Sequence, residues 1–195
     1  MITRKSTEVR LEEIHQAAMK VFLKKGFSKA SMEDIIKETS LSKGGFYHYY
    51  KSTDDIMLAL FIKGQHYRLD LIDQYLLDHQ LTWADLSDPE LFSEVIVEKI
   101  IDQNELMDLY AIFLSEKRFN PNLNHIYKKL VQESLKDFSQ LIPSFASSSK
   151  EGRQRQILLT EVINSLILGC HLLEAASLFR ENKAYLKEMI KTVLN

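Results

Sequence analysis

Apolar residues recur along the first part of the chain with the period of a helix. They are three or four positions apart, at Leu11, Ile14, Ala18, Val21 and Phe22. This spacing places them on one face of an α-helix, which the pattern predicts from about residue 7 to about residue 25. Gly26 then supplies the residue type that often ends a helix, and Phe27 is a hydrophobe of the kind that packs back after such an end.

Two short helices follow, joined by a tight turn. Ser31 is followed three residues later by Asp34, a close variant of the capping box, and begins a helix that runs to about residue 38. Ser42 caps a third helix, which runs from Lys43 to about Tyr49. Helices this short bury little surface alone and are stable only against longer neighbours, which is typical of a helix-turn-helix. An ordinary small helical bundle is the alternative that the spacing leaves open.

Helical patterns continue to the end of the chain. Ser52 with Asp55 repeats the capping pattern and begins a long helix that extends toward residue 77. Later helices are predicted at about residues 88–102, 104–118, 121–141, 152–180 and 182–194. We therefore expect an all-α fold of about nine helices, with a head formed by residues 1–51 and a body formed by residues 52–195.

The composition agrees with this prediction and restricts the chemistry. Three prolines and six glycines are too few for a protein rich in tight turns. The single cysteine, Cys170, excludes an internal disulfide and a cysteine-based zinc site. The N-terminal residues are charged, and no apolar run approaches the length of about 18 residues that a membrane span requires. We therefore expect a cytoplasmic protein without a membrane partner.

The net charge of −2 conceals an uneven distribution. Residues 1–51 contain ten Lys and Arg against six Asp and Glu, whereas residues 52–195 contain fifteen against twenty-one. A basic head on an acidic body is expected where one end of a protein meets phosphate. A few surface lysines would produce the same imbalance, so charge alone does not establish nucleic-acid binding.

Residues 40–52, with the sequence SLSKGGFYHYYKS, combine features that suit contact with DNA. Ser42 and the first helical turn present free backbone N–H groups and the positive end of the helix dipole, which favours a phosphate. Gly44 and Gly45 each cost about 1 kcal/mol inside a helix relative to alanine. Close approach of this helix to DNA would offset that cost.

Aromatic and basic side chains surround the end of the same helix. The cluster of residues 47–50 contains three tyrosines and a histidine, which is too polar for a core alone. Lys43 and Lys51 flank it. Side chains of this kind hold phosphates and fix the register, while a few others reach the edges of bases.

The stretch from Ile14 to Ile56 resembles the DNA-binding domain of the tetracycline-repressor (TetR) family in an ordered series of short motifs. The motifs are Ala17-Ala18, Phe22, Gly26-Phe27, Ala30-Ser31-Met32, Ile35, Leu41, Ser42-Lys43-Gly44, Phe46 to Tyr50, Lys51-Ser52 and Asp54-Asp55-Ile56. The resemblance implies a transcriptional regulator whose head is a three-helix helix-turn-helix domain. It also implies that the helical body binds a small effector and dimerises.

The resemblance carries DNA contacts over to individual positions. Those that match phosphate contacts of the family are Ser31, Tyr47 and Lys51. Those that match contacts to bases or to the adjoining backbone are Lys43, Gly44, Gly45 and His48. Ser42 completes the predicted interface through the N–H groups at the start of its helix.

Two positions depart from the family pattern. Ser40 stands where the family usually has glycine, and serine tolerates a left-handed backbone less well. Gly45 replaces a frequent threonine or other small side chain and so removes a possible contact. The bases that are read therefore stay open. Arg4 and Lys5 form either a flexible arm on DNA or a frayed terminus.

Residues 155–179 are predicted to take part in dimerisation. The segment is apolar around most of its circumference, which indicates burial on several sides. One of its faces, with small residues in the middle, consists of Val162, Ser165, Gly169, Leu172 and Ala176. We assign this face to a homodimer interface, in a four-helix bundle with residues 182–194. Packing within one monomer is the alternative.

The residues predicted to line an effector site are Tyr67, Tyr110, Phe113, Asn164 and His171. Polar groups on an apolar helix need partners, which are either a bound ligand or one another and the neighbouring backbone. Aromatic residues at helical spacing also suit an ordinary core. If the site exists, its ligand is small and largely apolar, with one or two hydrogen-bonding groups. Trp83 is either a lid or an anchor.

Catalysis finds little support in the sequence. The six histidines are scattered, no pair has the HExxH spacing, and no phosphate loop or dinucleotide fingerprint is present. We therefore expect no enzyme, no metal and no cofactor. The hypothesis is a repressor that binds a palindromic double-stranded DNA operator as a homodimer and is released by a small molecule. The alternative is a DNA-bound regulator whose body docks a protein, which an exposed apolar patch and a body without a cavity would favour.

Overall fold

The chain folds entirely into helices in the computed structural model, which describes residues 6–142 and 149–194. The α-helices of these residues are α1 Thr7–Lys25, α2 Met32–Lys37, α3 Lys43–Tyr49, α4 Thr53–Asp78, α5 Pro89–Ile101, α6 Glu105–Glu116, α7 Pro121–Leu141, α8 Lys150–Leu172, α9 Ala176–Glu181 and α10 Lys183–Leu194. A short 3₁₀ helix, Trp83–Ser87, precedes α5. The all-α prediction is confirmed. The possible DNA arm at Arg4 and Lys5 lies outside the described residues.

The helix ends of the head are fixed by local chemistry. Ser31 forms a capping box with Asp34 at the start of α2, and Ser52 does the same at the start of α4. The Ser42 hydroxyl accepts a hydrogen bond from the first turn of α3. Gly26 ends α1 with φ +76°, a left-handed backbone that glycine adopts without strain. These residues place the two short helices between two long ones.

A single apolar core joins the three helices of the head and the start of α4. It contains side chains from each helix that are wholly inaccessible to solvent, namely Ile14, Phe22, Ile35, Phe46 and Ile56. Because Ile56 belongs to α4, the long helix completes the core of the head before it enters the body.

The head and the body are also joined by contacts away from this core. α6 packs against α1, and the Ser28 hydroxyl donates to Glu116 Oε1 at the end of α6 over 2.7 Å. Within the body, the start of α4 is fastened to α7, because Asn122 Nδ2 donates to Asp54 Oδ2 over 2.7 Å. A change in the position of α4 or α6 would therefore reach the head directly.

The predicted helix 152–180 is divided in two. α8 ends at Leu172, and α9 begins at Ala176. Between them Glu174 has φ +55°, in the left-handed region where few residues other than glycine lie. The chain turns there, and α9 packs back against α8.

Trp83 is an anchor in this fold. Its Nε1–H donates to Asp73 Oδ1 over 2.7 Å, and its ring packs edge-on against Phe138 at 6.0 Å.

None of the helices within residues 6–142 and 149–194 is long and apolar enough to cross a membrane.

Candidate nucleic-acid interface and effector cavity

α3 presents most of its predicted DNA contacts to solvent. The exposed residues of the predicted interface are Ser31, Ser42, Lys43, Gly44, His48 and Lys51, and the half-buried ones are Gly45 and Tyr47. Phe46, between them, is fully buried and fixes α3 to the core of the head. The short helix is therefore held from one side and free on the other.

The two lysines of this interface are held by bonds that a phosphate can replace. Lys43 Nζ lies 3.1 Å from Glu33 Oε1, and both side chains are about two-thirds exposed. The hydrogen bond and the charge of Glu33 raise the pKa of Lys43, which keeps it protonated. Lys51 Nζ donates to the carbonyl oxygen of Tyr47. Exposed pairs of this kind contribute at most about 1 kcal/mol, so a phosphate can displace them.

Ser31 is more firmly engaged. Its hydroxyl donates to Asp34 Oδ2 over 2.8 Å and accepts from the Asp34 N–H over 3.2 Å. Hydrogen bonds from Lys25 and Ser31 lower the pKa of Asp34 to about 2, so this carboxylate stays charged at neutral pH. A phosphate at Ser31 would compete with Asp34 for the hydroxyl proton.

Packing within the protein does not require glycine at Gly44. A Cβ atom added there would meet nothing within 4 Å, and the backbone is outside the left-handed region. At Gly45 a Cβ atom would lie 3.3 Å from Ser42 Oγ, which is tight. The cost of Gly44 to the helix therefore has no compensation inside the chain, which favours a partner that approaches α3 closely.

Ser40 fits its turn without the left-handed backbone expected of a glycine. Among the described residues only Gly26, Gln80 and Glu174 have a positive φ. The Ser40 N–H donates to Glu13 Oε1 over 2.6 Å, and its hydroxyl accepts from Arg10 over 2.9 Å. The turn before α3 is thus fastened to α1 by polar contacts.

The last aromatic residue of the cluster has a structural role. Tyr50 Oη lies 2.7 Å from His15 Nε2 on α1, and both groups are half-buried. Burial raises the pKa of Tyr50 and lowers that of His15, so that both are neutral at pH 7. Tyr50 therefore holds the end of α3 against α1.

The body encloses a cavity of about 240 Å³ between helices α4 to α8. Its apolar walls are formed mainly by Phe61, Leu69, Phe92, Ile96, Val131, Leu135, Phe138, Leu141, Leu159, Ile163 and Ile167. Its polar groups are Gln65, His66, Arg68, Lys99, Tyr110, Ser134, Asp137, Thr160 and Asn164. This volume lies just below the range of about 300–1,000 Å³ that is usual for drug-sized ligands.

Two of the five predicted ligand residues, Tyr110 and Asn164, line the cavity. The other three do not. Tyr67 donates to Asp102 Oδ2 over 3.1 Å, and Phe113 is buried in the core with its ring 4.4 Å from that of Phe61.

His171 lies on the part of α8 that faces α6. Its Nδ1 is 2.6 Å from Asp108 Oδ1, and its Nε2 is buried without a partner among the described residues. We therefore remove Tyr67, Phe113 and His171 from the predicted ligand site. Each of them makes contacts within the fold, as the alternative interpretation of the sequence expected.

A chain of buried hydrogen bonds starts at the cavity wall. Tyr110 Oη donates to Asn164 Oδ1 over 2.7 Å, and Asn164 Nδ2 donates to Tyr127 Oη over 2.8 Å. Tyr127 Oη in turn donates to Glu161 Oε1 over 2.8 Å. The chain satisfies the buried amide of Asn164 and connects α6, α7 and α8.

Sequence reasoning missed the two cations of the cavity, Arg68 and Lys99. Arg68 is only 6% exposed, and Lys99 is half-buried. The pattern contained a signal for Arg68, because it lies four residues after Gly64 and four before Ile72 in the buried stripe of α4. A charged residue within such a stripe is rarely buried without a partner.

Apolar side chains also remain exposed on the opposite side of the body. On α8 to α10 and the turn between them they are Ile157, Leu158, Leu172, Leu173, Leu178, Tyr185 and Met189. Of the predicted dimer residues, Ser165 and Leu172 are exposed and Val162 is half-buried.

Gly169 and Ala176 pack within the monomer instead. A Cβ atom at Gly169 would lie 3.4 Å from the Phe179 ring, and Ala176 is 2% exposed. The prediction that these two residues face a partner subunit is corrected, because the turn after α8 places Phe179 of α9 against Gly169 and buries Ala176 at the start of α9.

Residues 14–60 match the family model described as bacterial regulatory proteins, tetR family. The HTH-type transcriptional regulator YfiR of Bacillus subtilis is 34% identical over 86 residues. The aligned segment is 44% of this chain and 42% of YfiR, so the match spans about two fifths of that relative.

Solved structures extend the likeness of the fold to nearly the whole chain. A TetR-family regulator from Syntrophomonas wolfei superposes with a TM-score of 0.68 at 16% identity, over 97% of this chain and 94% of the other. The multidrug binding protein EbrR, solved with malachite green, superposes with a TM-score of 0.65 at 16% identity, over 95% and 98% of the two chains. Residues 14–60 of this chain are therefore similar to the N-terminal domain of the tetR family of bacterial regulatory proteins.

Proposed function

We propose that this protein is a transcriptional repressor that binds a palindromic operator as a homodimer and is released when a small molecule enters the cavity of the body. The observation that carries the proposal concerns α4. Its first turns complete the core of the head, and its middle lines the cavity with Phe61, Gln65 and Arg68. The head, residues 1–51, would then read DNA, and the body, residues 52–195, would bind the effector and the second subunit.

The exposed side of α3 supports the DNA-binding part of the proposal. Lys43, His48 and Lys51 are exposed on the basic head, where they can meet phosphates and base edges. Ser42 and Tyr47 lie on the same short segment. In a two-fold symmetric dimer, two such helices about 34–36 Å apart would fit successive major grooves of a palindrome.

The exposed apolar side chains of α8 to α10 support the dimer. Leu172, Leu173 and Tyr185 are 53%, 79% and 77% exposed, and large exposed apolar side chains are typical of an interface where they form a patch. α8 and α10 pack against each other within the subunit, so a second copy would complete a four-helix bundle.

The cavity supports a small effector over a protein that docks on the body, because a body without a cavity was the expectation for docking. A ligand would contact α4 and α6, the two helices that are also fastened to the head. To release the operator, it must prefer the non-binding arrangement of the heads by several kcal/mol.

The test uses fluorescence anisotropy with a labelled duplex from the DNA beside the protein's own gene. Lys51→Ala should weaken binding to all DNA sequences. Because it removes one phosphate contact, it should reduce the slope of log K against log salt concentration by about one. Tyr47→Phe should weaken binding with the slope unchanged, because it removes a hydrogen bond and no charge. Lys20→Ala is the matched control, since Lys20 is paired with Glu38 on another side of the head.

An unchanged salt slope in Lys51→Ala would remove Lys51 from the phosphate contacts. Failure of the wild-type protein to prefer any palindrome in that DNA over a scrambled duplex would contradict operator binding as a whole.

A further inference from the structure

Arg68 is a buried cation that lacks an anionic partner. Its guanidinium carbon lies 4.1 Å from the centre of the Tyr110 ring and 5.9 Å from that of Phe61. Among the described residues it makes no hydrogen bond and no ion pair, and its Nη1 is closed off from solvent. The aromatic rings interact with the face of the guanidinium and leave its N–H groups without acceptors.

Lys99, on α5, is a second cation on the wall of the same cavity. Burial and the positive charge of Arg68 lower its pKa to about 7. The nearest interaction found for its ammonium group is the ring of Phe138, 5.9 Å away. The two cations therefore repel each other.

Neither cation is paired with an acidic side chain among the described residues of the walls. Asp137 is the one acidic residue among the described lining residues, and its side chain is exposed on α7 and paired with neither cation. His66 is exposed at the edge of the cavity. Buried charges in proteins are normally paired, so the missing partner is expected to come from outside the chain.

We infer that the cavity binds an organic anion, with its anionic head group between Arg68 and Lys99 and its apolar body against the aromatic and aliphatic walls. This inference rests on the proposed function, since it names the chemical class of the effector. It adds a negative charge to the ligand expected from the sequence, which is largely apolar with one or two hydrogen-bonding groups. The guanidinium can bind the two oxygens of a carboxylate or a phosphonate side by side, while the ammonium group supplies a second charge.

The test compares charged and neutral probes of equal shape. Binding of hexanoate, octanoate and benzoate to the unliganded full-length protein is measured by isothermal titration calorimetry, in parallel with hexanamide, octanamide and benzamide. Each carboxylate should bind about tenfold or more tightly than its amide, because hydrogen bonds to charged groups are the stronger ones. Octylphosphonate distinguishes a phosphonate head from a carboxylate, and octyltrimethylammonium should not bind.

Two variants locate the charge preference. Arg68→Gln and Lys99→Gln should each weaken binding of octanoate by about tenfold and leave that of octanamide within about twofold. Arg68→Lys keeps the positive charge but cannot bind both carboxylate oxygens side by side. It should therefore bind octanoate more tightly than Arg68→Gln and less tightly than the wild type. Lys183→Gln is the matched control, because Lys183 is exposed and paired with Glu98 near α5. Circular dichroism confirms that each variant is folded.

The inference is overturned if the amides or the ammonium compound bind as tightly as the carboxylates. It is also overturned if none of the anions binds. Anisotropy with the operator duplex separates this failure from that of the proposed function. Release of DNA by octanamide would contradict the inference that the effector is an anion, and it would agree with the proposed function. Tight binding of octanoate without any effect on DNA binding would support an anion site in the cavity. It would contradict the proposal that the ligand releases the operator.

Discussion

Replacement of Lys99 with methionine removes an ammonium group from the cavity and keeps a side chain of similar length. Lysine in the unfolded chain has a pKa near 10.5, whereas burial and the charge of Arg68 lower the pKa of Lys99 to about 7 in the folded protein. Folding at neutral pH must therefore either bury the charge or release the proton. Methionine avoids both costs and packs readily into irregular space.

The size of the effect follows from the two pKa values. Since each pKa unit corresponds to about 1.4 kcal/mol, Lys99 destabilises the fold by up to about 4 kcal/mol at pH 7 and by about 2 kcal/mol at pH 9. The penalty is fully present below the folded pKa and is lost as the pH rises toward the unfolded pKa. Total stabilities are about 5–15 kcal/mol, so this difference is large enough to measure.

The assay is urea unfolding followed by circular dichroism, at a fixed protein concentration and at pH 7 and pH 9. Lys99→Met should be the more stable protein at both values, with its advantage roughly halved at pH 9. Lys183→Met is the control, since removal of an exposed, paired lysine should change stability by at most about 1 kcal/mol. A Lys99→Met variant that is less stable than wild type at pH 7, or an advantage that does not fall with pH, would refute the reasoning.

Three further substitutions test other features. Gly44→Ala should stabilise the fold by up to about 1 kcal/mol in thermal unfolding, because α3 has open space there, and should weaken operator binding; unchanged DNA binding would contradict close approach of this helix to DNA. Leu173→Glu should convert the dimer to a monomer in analytical ultracentrifugation, whereas Leu77→Glu, at an equally exposed leucine of α4, should not. Gln80→Gly should raise stability by about 0.5–1 kcal/mol, because Gln80 has φ +57°; a lower melting temperature would show that this backbone is not strained.

The helices of the head were predictable because their boundaries depend on neighbouring residues. The first helix was predicted at residues 7–25 and is Thr7–Lys25, and the third was predicted to begin at Lys43 and does so. A capping serine acts within one turn, and Gly26 acts on the helix that it ends. Because these effects act over only a few residues, the sequence alone is enough to locate the ends of these helices.

The turn at Glu174 was not predictable in the same way. Neither glycine nor proline marks it, and the apolar pattern continues through it, so the sequence favoured one long helix. The break places Phe179 against Gly169, a contact between residues ten positions apart that local patterns do not contain. For the same reason Gly169 was assigned to a face toward a partner subunit, although Phe179 of α9 packs against it.

The charge of the cavity was missed for a different reason. Long basic side chains usually reach solvent from a buried backbone position, so the residue types alone do not place Arg68 and Lys99 in a cavity. Their burial depends on how five helices meet around the cavity, which the periodicity of any one helix does not contain.

The hydrogen bond from Tyr110 to Asn164 involves a single proton. A phenol has only one to give, and Tyr110 gives it to Asn164 Oδ1 over 2.7 Å. A carboxylate bound by Arg68 would compete for it, because that guanidinium lies 4.1 Å from the Tyr110 ring centre. If the proton went to the ligand, the Asn164 oxygen would be left without this donor, at a cost of about 1–3 kcal/mol. Occupation of the cavity would therefore weaken this contact between α6 and α8, and α6 is fastened to Ser28 of the head through Glu116.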